Sequence, residues 1–497
     1  MWRDIRIGLH AEGDGAEGWM RVLRQERLPW DGVDGPDRPV VLFSGYVPSW
    51  CHAFVAGGGV AVIAEAPASD TLLGPSIPAT LHRFRPPGRD EEAELPCLAR
   101  LFTGPGEGEC RLHGNRKSRS PQPADLYPAV LNRPHGKGRL IYTGLPLTRH
   151  LVAAGDTLRA FTTSSALTER VASVDKAEVA DTLIGMLHTA FDILALPRLR
   201  IGRYPQAAHS VFILRIDVDG VFGNNCRRIA QIAQAHGIHC SFFFNAALCR
   251  AYPGALSRDW LDGHEIGHHG DVHDLFDTIA ENRTNLLAGM NWVEQQLGLR
   301  PRGYVAPRGM WNHALDRAMA DLALPYSSDF GLDIDSLPFF SPAGVLQVPV
   351  HPYSPERHRI FLEDAGLGPP GARAVLDHYL SVLARQVAFD RPVHLYGHPE
   401  ILGDMADAVL PELFAAANSR HLPNMTLGDF ADWWRRRDET SMTLAIDDVT
   451  GRLHVETDAE SVDVRVPTAT RLTIYGASHT IAAGHWARLP AARGLKP

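Results

Sequence analysis

The stretch VFILRIDVDG, residues 211–220, is apolar for four residues and then alternates charge with aliphatic side chains. An apolar run that ends in charge reads as a buried strand delivering its last side chains to a cavity. The texture returns in IHCSFFFN (238–245), HEIGHH (264–269), GYVAPRG (303–309), VLQVPVH (345–351) and RPVHLYGHPE (391–400). Helical patterns lie between them, one around Ile229, Ile232 and Ala233 closed by Gly237. Another covers 275–297, with Leu275, Ile279, Leu286, Met290, Val293 and Leu297 on one stripe and Gly298 as its stop. Strand and helix in alternation predict an α/β fold whose main body is a deformed (β/α) barrel over 205–437, with its chemistry at the carboxyl ends of the strands.

Outward from that body, residues 1–195 carry IRIGL, RPVVLFSG, GGGVAVIAEA and GKGRLIYTGLPL, apolar strands spaced by polar connections, and predict an α/β layered domain. The Gly-, Pro- and charge-rich stretch 86–135 reads as a weakly structured excursion. After DFADWWRRRDE the sequence turns to short alternating runs, MTLAIDD, GRLHVET, SVDVRV and RLTIYG, which predict a small β module over 440–497. Trp433 and Trp434 are expected to pack the last helix of the barrel.

A length of 497 residues exceeds one ordinary core, and 45% hydrophobic with 21% charged residues marks a globular chain. The formal charge of -8 is spread without blocks, which argues against a nucleic-acid footprint or a polybasic membrane anchor. The charged start MWRDIRIGLHAEGDG does not serve as a secretory signal and no run reads as a transmembrane segment, so a cytoplasmic location is expected. Six cysteines, at 51, 97, 110, 226, 240 and 249, form no C-x-x-C pair and are expected to be reduced and mostly buried.

Three strand ends hold complementary chemistry: RIDVDG (215–220), GHEIGHHGDVHD (263–274) and HLYGHPE (394–400). A hydrolytic metal site with an open position needs about three imidazole or carboxylate ligands, a carboxylate base and a proton donor for the leaving atom. His269 and His273 stand four apart, as do His264 and His268, so spacing alone leaves the pair open; Asp217 and Asp219, two apart on a strand end, can face one cavity.

IDVDG, GHEIG-x-H-x-x-x-H, YVAPRG, SSDFG and LYGHPE, in this order, resemble the successive motifs of the polysaccharide deacetylase (NodB-homology, carbohydrate esterase family 4) family over roughly 205–435. The resemblance implies Asp217 as catalytic base, Asp219, His269 and His273 as ligands of one divalent metal ion, Zn²⁺ by donor type, and His398 as general acid. His264 and His268 then belong to the strand leading in. The family's third motif carries an arginine that holds the base, and Val305 occupies that position here, which leaves Arg308 or Arg302 to substitute. Asp329 is a candidate for orienting His398. His351 is a candidate for lining the pocket, with a packed, hydrogen-bonded histidine as the alternative.

The resemblance implies removal of an N-acyl, chiefly N-acetyl, group from a sugar or saccharide precursor, and the charged start without a secretory signal favours a sugar nucleotide or lipid-linked precursor over extracellular polymer. Hydrolysis of another C–N bond, such as a cyclic amide, and a non-catalytic carbohydrate-binding or regulatory protein are the rival readings. AFVAGGGVAVIAEAP and GKGRLIYTGLPL weakly resemble class I glutamine amidotransferase-like domains, which implies a flavodoxin-like fold for 1–195, but Cys51 beside His52 lacks a nucleophile elbow, so that domain is expected to bind or scaffold.

Overall fold

The structure is a computed structural model that describes residues 2–490 apart from 69, 87–88, 90, 103–106, 109–111, 114–127, 162–166, 221–223, 252–257, 448, 451 and 475–476. Cys110 and much of the 86–135 excursion lie outside the described residues. The chain divides into two compact units, one of Ala154–Ala172 and Arg203–Arg436, the other of Met1–Ala153, Ser173–Gly202 and Arg437–Pro497.

The first of these holds the motifs. Its strands are β1 (Phe212–Val218), β2 (Ser241–Phe244), β3 (Glu265–His268), β4 (Gly303–Tyr304), β5 (Tyr326–Ser327), β6 (Phe339–Phe340), β7 (Leu346–Gln347) and β8 (Val393–Gly397). They form one eight-stranded sheet in the order β6-β7-β5-β4-β3-β2-β1-β8, parallel except for the β6–β7 pair. The sheet curls until its ends meet: His351 N–H donates to the His394 carbonyl at 3.0 Å, and the His394 ring bonds the Pro349 carbonyl at 3.0 Å. The expected barrel is thus closed by isolated bonds rather than a full ladder.

Alternation along β1 explains both its burial and its chemistry. Phe212, Leu214, Ile216 and Val218 point outward into a core with Ile229, Ala233, Val382 and Leu410, while Val211 and Ile213 point inward against Leu346, Leu427, Phe430 and Trp434. Arg215 and Asp217 continue that inward row, and Asp219 follows it at the open end. The floor is apolar and the mouth charged.

Helix α1 (Ile279–Leu297) begins later than the stripe suggests, because Thr278 accepts the Glu281 N–H at 3.2 Å and caps it there. Gly298, at φ 62°, ends it as expected, and Leu275 packs from the preceding loop. Among the described residues no helix is long and apolar enough to cross a membrane.

The other unit holds a seven-stranded sheet. Trp30–Gly32, Ile7–His10, Val40–Ser44, Val60–Ala64 and Gly138–Thr143 lie side by side and parallel, which is a 2-1-3-4-5 order in the chain; Val130–His135 and Glu107–Gly108 follow antiparallel. Helices Gly13–Glu26 and Lys176–Ile193 cover one face through Trp19, Val22, Leu183 and Leu187, and Trp50–Ala56 covers the other through Cys51 and Val55. Part of the expected excursion is regular, since Ala93–Phe102 pairs with Ser76–Phe84.

The boundaries differ from the expected 1–195, 205–437 and 440–497. The 440–497 strands are not a body apart: Met442–Asp447 pairs with Trp2–Asp4, and Ser461–Arg465 pairs with Arg198–Ile201. Their apolar residues Leu444, Val455, Val462 and Leu472 share one core with Val22 and Leu187. Short strands with one apolar face bury it on whatever core is adjacent, and periodicity does not name that core. The hairpin Asp156–Ala160/Thr168–Ala172, in turn, groups with the barrel.

Candidate metal centre

Asp219 leaves the end of β1 and His269 the end of β3. Gly270, at φ 76°, turns the chain there, and the Asn285 side chain of α1 accepts the Asp271 and Val272 N–H groups at 2.9 and 2.8 Å. That tight loop, not a helical turn, carries His273 back to the strand ends. His269 Nε2 lies 3.2 Å from Asp219 Oδ1 and His273 Nε2 lies 3.3 Å from Asp219 Oδ2. His269 Nδ1 donates to the Val305 carbonyl at 2.6 Å, which fixes the ring tautomer and leaves Nε2 available as a ligand. Of the two histidine pairs, His269 and His273 are the one brought together: His264 accepts the Cys240 N–H at 2.9 Å, and His268 is buried against Tyr304 within the strand layer.

The three residues fit a divalent ion. One ligand atom from each lies within 4.8 Å of the others. Ligands about 2.1 Å from a tetrahedral ion stand about 3.4 Å apart, close to the contacts found here. Asp219 Oδ1 and His273 Nε2 are buried atoms that make no hydrogen bond among the described residues, an arrangement that is costly unless something else occupies them. Burial works to raise the Asp219 pKa, but His269 and His273 outweigh it and hold the carboxyl well below its usual range, so it is an anion ready to ligate.

Asp217 faces the same cavity. Its Oδ2 accepts from Arg215 Nη2 at 2.7 Å, and its Oδ1 is buried without a hydrogen bond among the described residues. Arg215 is itself fully buried, its other amino group donating to the Ser328 carbonyl at 2.7 Å and its guanidinium lying 4.8 Å over the Tyr396 ring. Neither arginine expected for this task performs it: Arg302 is exposed and bonds Asp432 at 2.8 Å, and Arg308 lines the cavity with no ion pair among the described residues. The period-2 pattern of β1 was the available signal for Arg215, since 215, 217 and 219 share one face.

His398 follows β8, with Nε2 3.5 Å from Asp219 Oδ2 and Nδ1 3.8 Å from Glu356 Oε2. Glu356 stands in the first turn of α2 (Pro355–Asp364), its Oε1 held by Arg359 at 3.0 Å, and no sequence motif pointed to it. Asp329 is engaged elsewhere: it accepts the Ala306 N–H at 2.8 Å and the Ser327 hydroxyl, and burial pushes its pKa up to about 6. His351 also lies outside this cavity, where Asp335 bonds its Nδ1 at 3.0 Å and His378 its Nε2 at 3.2 Å. The cavity measures about 360 Å³ and is lined further by Glu169, Phe330, Arg357 and Tyr396. Glu169, from the hairpin, pairs with Arg357 at 3.1 Å.

Apart from Asp329 and His398, the motif positions sit in a segment with known relatives: residues 209–327 match the family model described as polysaccharide deacetylase. No curated protein matches the chain at a significant level. Among solved structures, a Mycobacterium smegmatis protein assigned as a polysaccharide deacetylase is 19% identical, with a TM-score of 0.43 over 47% of this chain and 93% of its own. Puue allantoinase is 16% identical (TM-score 0.40; 48% of this chain, 93% of its own). A protein assigned likewise as a polysaccharide deacetylase from Pseudomonas aeruginosa PAO1 is 16% identical (TM-score 0.41; 48% and 94%). The family match lies outside residues 1–195 and lends no support to an amidotransferase-like reading there. Over 209–327, the segment that carries Arg215, Asp217, Asp219, His269 and His273, the chain resembles the polysaccharide deacetylase family.

Proposed function

We propose that this protein is a metal-dependent hydrolase that removes an N-acyl group, N-acetyl in the first instance, from a sugar or saccharide precursor. The observation that carries the reading is the convergence of Asp219, His269 and His273 beside the Arg215–Asp217 pair and His398 in one cavity of about 360 Å³. When bound at the triad, a divalent ion, Zn²⁺ by the donor set, supplies Lewis-acid stabilisation of charge developing on an acyl oxygen and acidifies water at the site.

The chain's own residues do the rest. Asp217, aligned by Arg215, takes the proton of the attacking water. His398, beside Asp219 and with Glu356 near its Nδ1, gives a proton to the departing sugar amine, without which the amine is a poor leaving group. Arg215 also bears on the decayed-site reading, since it supplies the cation that Val305 does not.

Acetate release from N-acetylated mono- and oligosaccharides, measured with added divalent metal and after chelation, tests the reading. Release that depends on metal and is lost in Asp217→Asn is expected. Opening of a cyclic amide without acetate release would favour that rival, and absence of both activities and of metal would leave a binding protein.

A further inference from the structure

The unit formed by residues 1–153, 173–202 and 437–497 holds a second cavity, of about 510 Å³, at the carboxyl ends of three neighbouring parallel strands. Gly45 follows Val40–Ser44, Glu65 follows Val60–Ala64 and Gly144 follows Gly138–Thr143, and all three line it. In open parallel sheets ligands bind at that edge, outside the strand ends, where loops vary without disturbing the core.

Glu65 has φ 51°, a left-handed conformation that is strained for a residue with a Cβ. Three backbone bonds enforce it: Glu65 N–H to Leu145 O at 3.2 Å, Ala66 N–H to Thr143 O at 2.7 Å and Gly45 N–H to Ala64 O at 3.1 Å. Backbone strain held this firmly at a strand end is typical of functional positions. The Glu65 carboxylate pairs with Arg149 Nε at 2.8 Å, so those two charges cancel. Arg100, also on the wall, is exposed, and its side chain has no partner among the described residues. Its backbone is fixed: Arg100 N–H donates to Gly144 O at 3.0 Å, and a Cβ at position 144 would lie 2.1 Å from Arg100 O.

We propose that this cavity binds a small organic anion of about the size of one sugar ring, with a phosphate or carboxylate held by Arg100 and Arg149 and a hydroxyl donor facing Glu65. The volume falls within the range of about 300–1,000 Å³ usual for small-molecule sites, and the uncancelled charge on its wall is positive. The inference is independent of the barrel chemistry.

Titration calorimetry of the full chain with glucose 6-phosphate, glucuronate, glucose and inorganic phosphate tests it, on the native protein and on Arg100→Ala, Arg149→Ala and Asp219→Asn. One of the two anionic sugars should bind saturably, at least 10-fold tighter than glucose or inorganic phosphate, and which one binds names the anion. Arg100→Ala and Arg149→Ala, surface changes whose folding is checked by melting, should each weaken it at least 10-fold, and Asp219→Asn should not. Absence of binding tighter than roughly millimolar, equal binding to the arginine variants, loss in Asp219→Asn, or inorganic phosphate binding as well as the sugars would each overturn the proposal.

Discussion

Arg215 Nη2 lies 2.7 Å from Asp217 Oδ2, two residues along the same strand, and both side chains are buried. An arginine carried on the base's own strand holds the carboxylate in place without help from the third motif, where Val305 instead offers its carbonyl to His269. Removing one member of a buried pair leaves the other charged and unpaired, at a cost of about 3–5 kcal/mol. Arg215→Met should therefore lower the melting temperature and reduce acetate release by about 10²-fold or more, and Val305→Ala should do neither to that degree. Equal turnover in Arg215→Met and the native protein would show that Asp217 needs no partner.

Metal content separates the two aspartates. Asp219→Asn and His273→Ala should lose a stoichiometric ion, whereas Asp217→Asn should keep it and still lose most turnover. Elemental analysis of purified variants gives the first readout and acetate release the second. Chelation should lower the melting temperature, because an ion at 100 times its dissociation constant stabilises the native state by about 2.7 kcal/mol.

The general acid is tested by contrast between carboxylates. His398→Ala should cost about 10²- to 10⁴-fold in kcat. Glu356→Gln, which alters the carboxylate 3.8 Å from His398 Nδ1, should cost more than Asp329→Asn, which keeps an acceptor for the Ala306 N–H and does not touch His398. The reverse order would return the orienting role to Asp329.

Acid should destabilise the fold through histidines that buried or half-buried surroundings keep neutral. Burial is the main cause that pushes His378 and His394 down to about 3 and His264 to about 4. Unfolded, they protonate near pH 6.5. Between about pH 6.5 and 4 the unfolded chain binds protons that the native chain does not, so stability is full above that window and falls as pH drops through it. In His378→Gln the loss between pH 7.5 and 5.5 should shrink by on the order of 1 kcal/mol, read from melting at both pH values. An unchanged pH dependence would remove His378 from the account.

Cys51 should be inert. It is buried in the Trp50–Ala56 helix, and burial with Asp70 nearby pushes its thiol up to about 12. Iodoacetamide at pH 8 on the native protein should leave the Cys51 peptide unmodified, and rapid alkylation there would revive a thiol nucleophile.

Local sequence determined much of this. Apolar runs ending in polar or charged side chains located β1, β2, β3 and β8, because burial on both faces demands that texture wherever the strands pair. Spacing confined the candidate ligands to a few residues, since a loop of four residues can return a second imidazole to one point. What the sequence left open depended on contacts between distant segments. The choice of His273 over His264 rests on Asn285, from α1, gripping the loop after Gly270. Glu356 reaches His398 from a helix with no motif, while Asp329, inside one, is drawn to Ala306 and Ser327. The strands of 440–497 read as a module until Leu444 and Val462 found their core beside Val22. Periodicity states which face of an element is apolar, but only packing decides which surface covers it, and hydrogen-bond partners far apart in sequence are chosen by that packing alone.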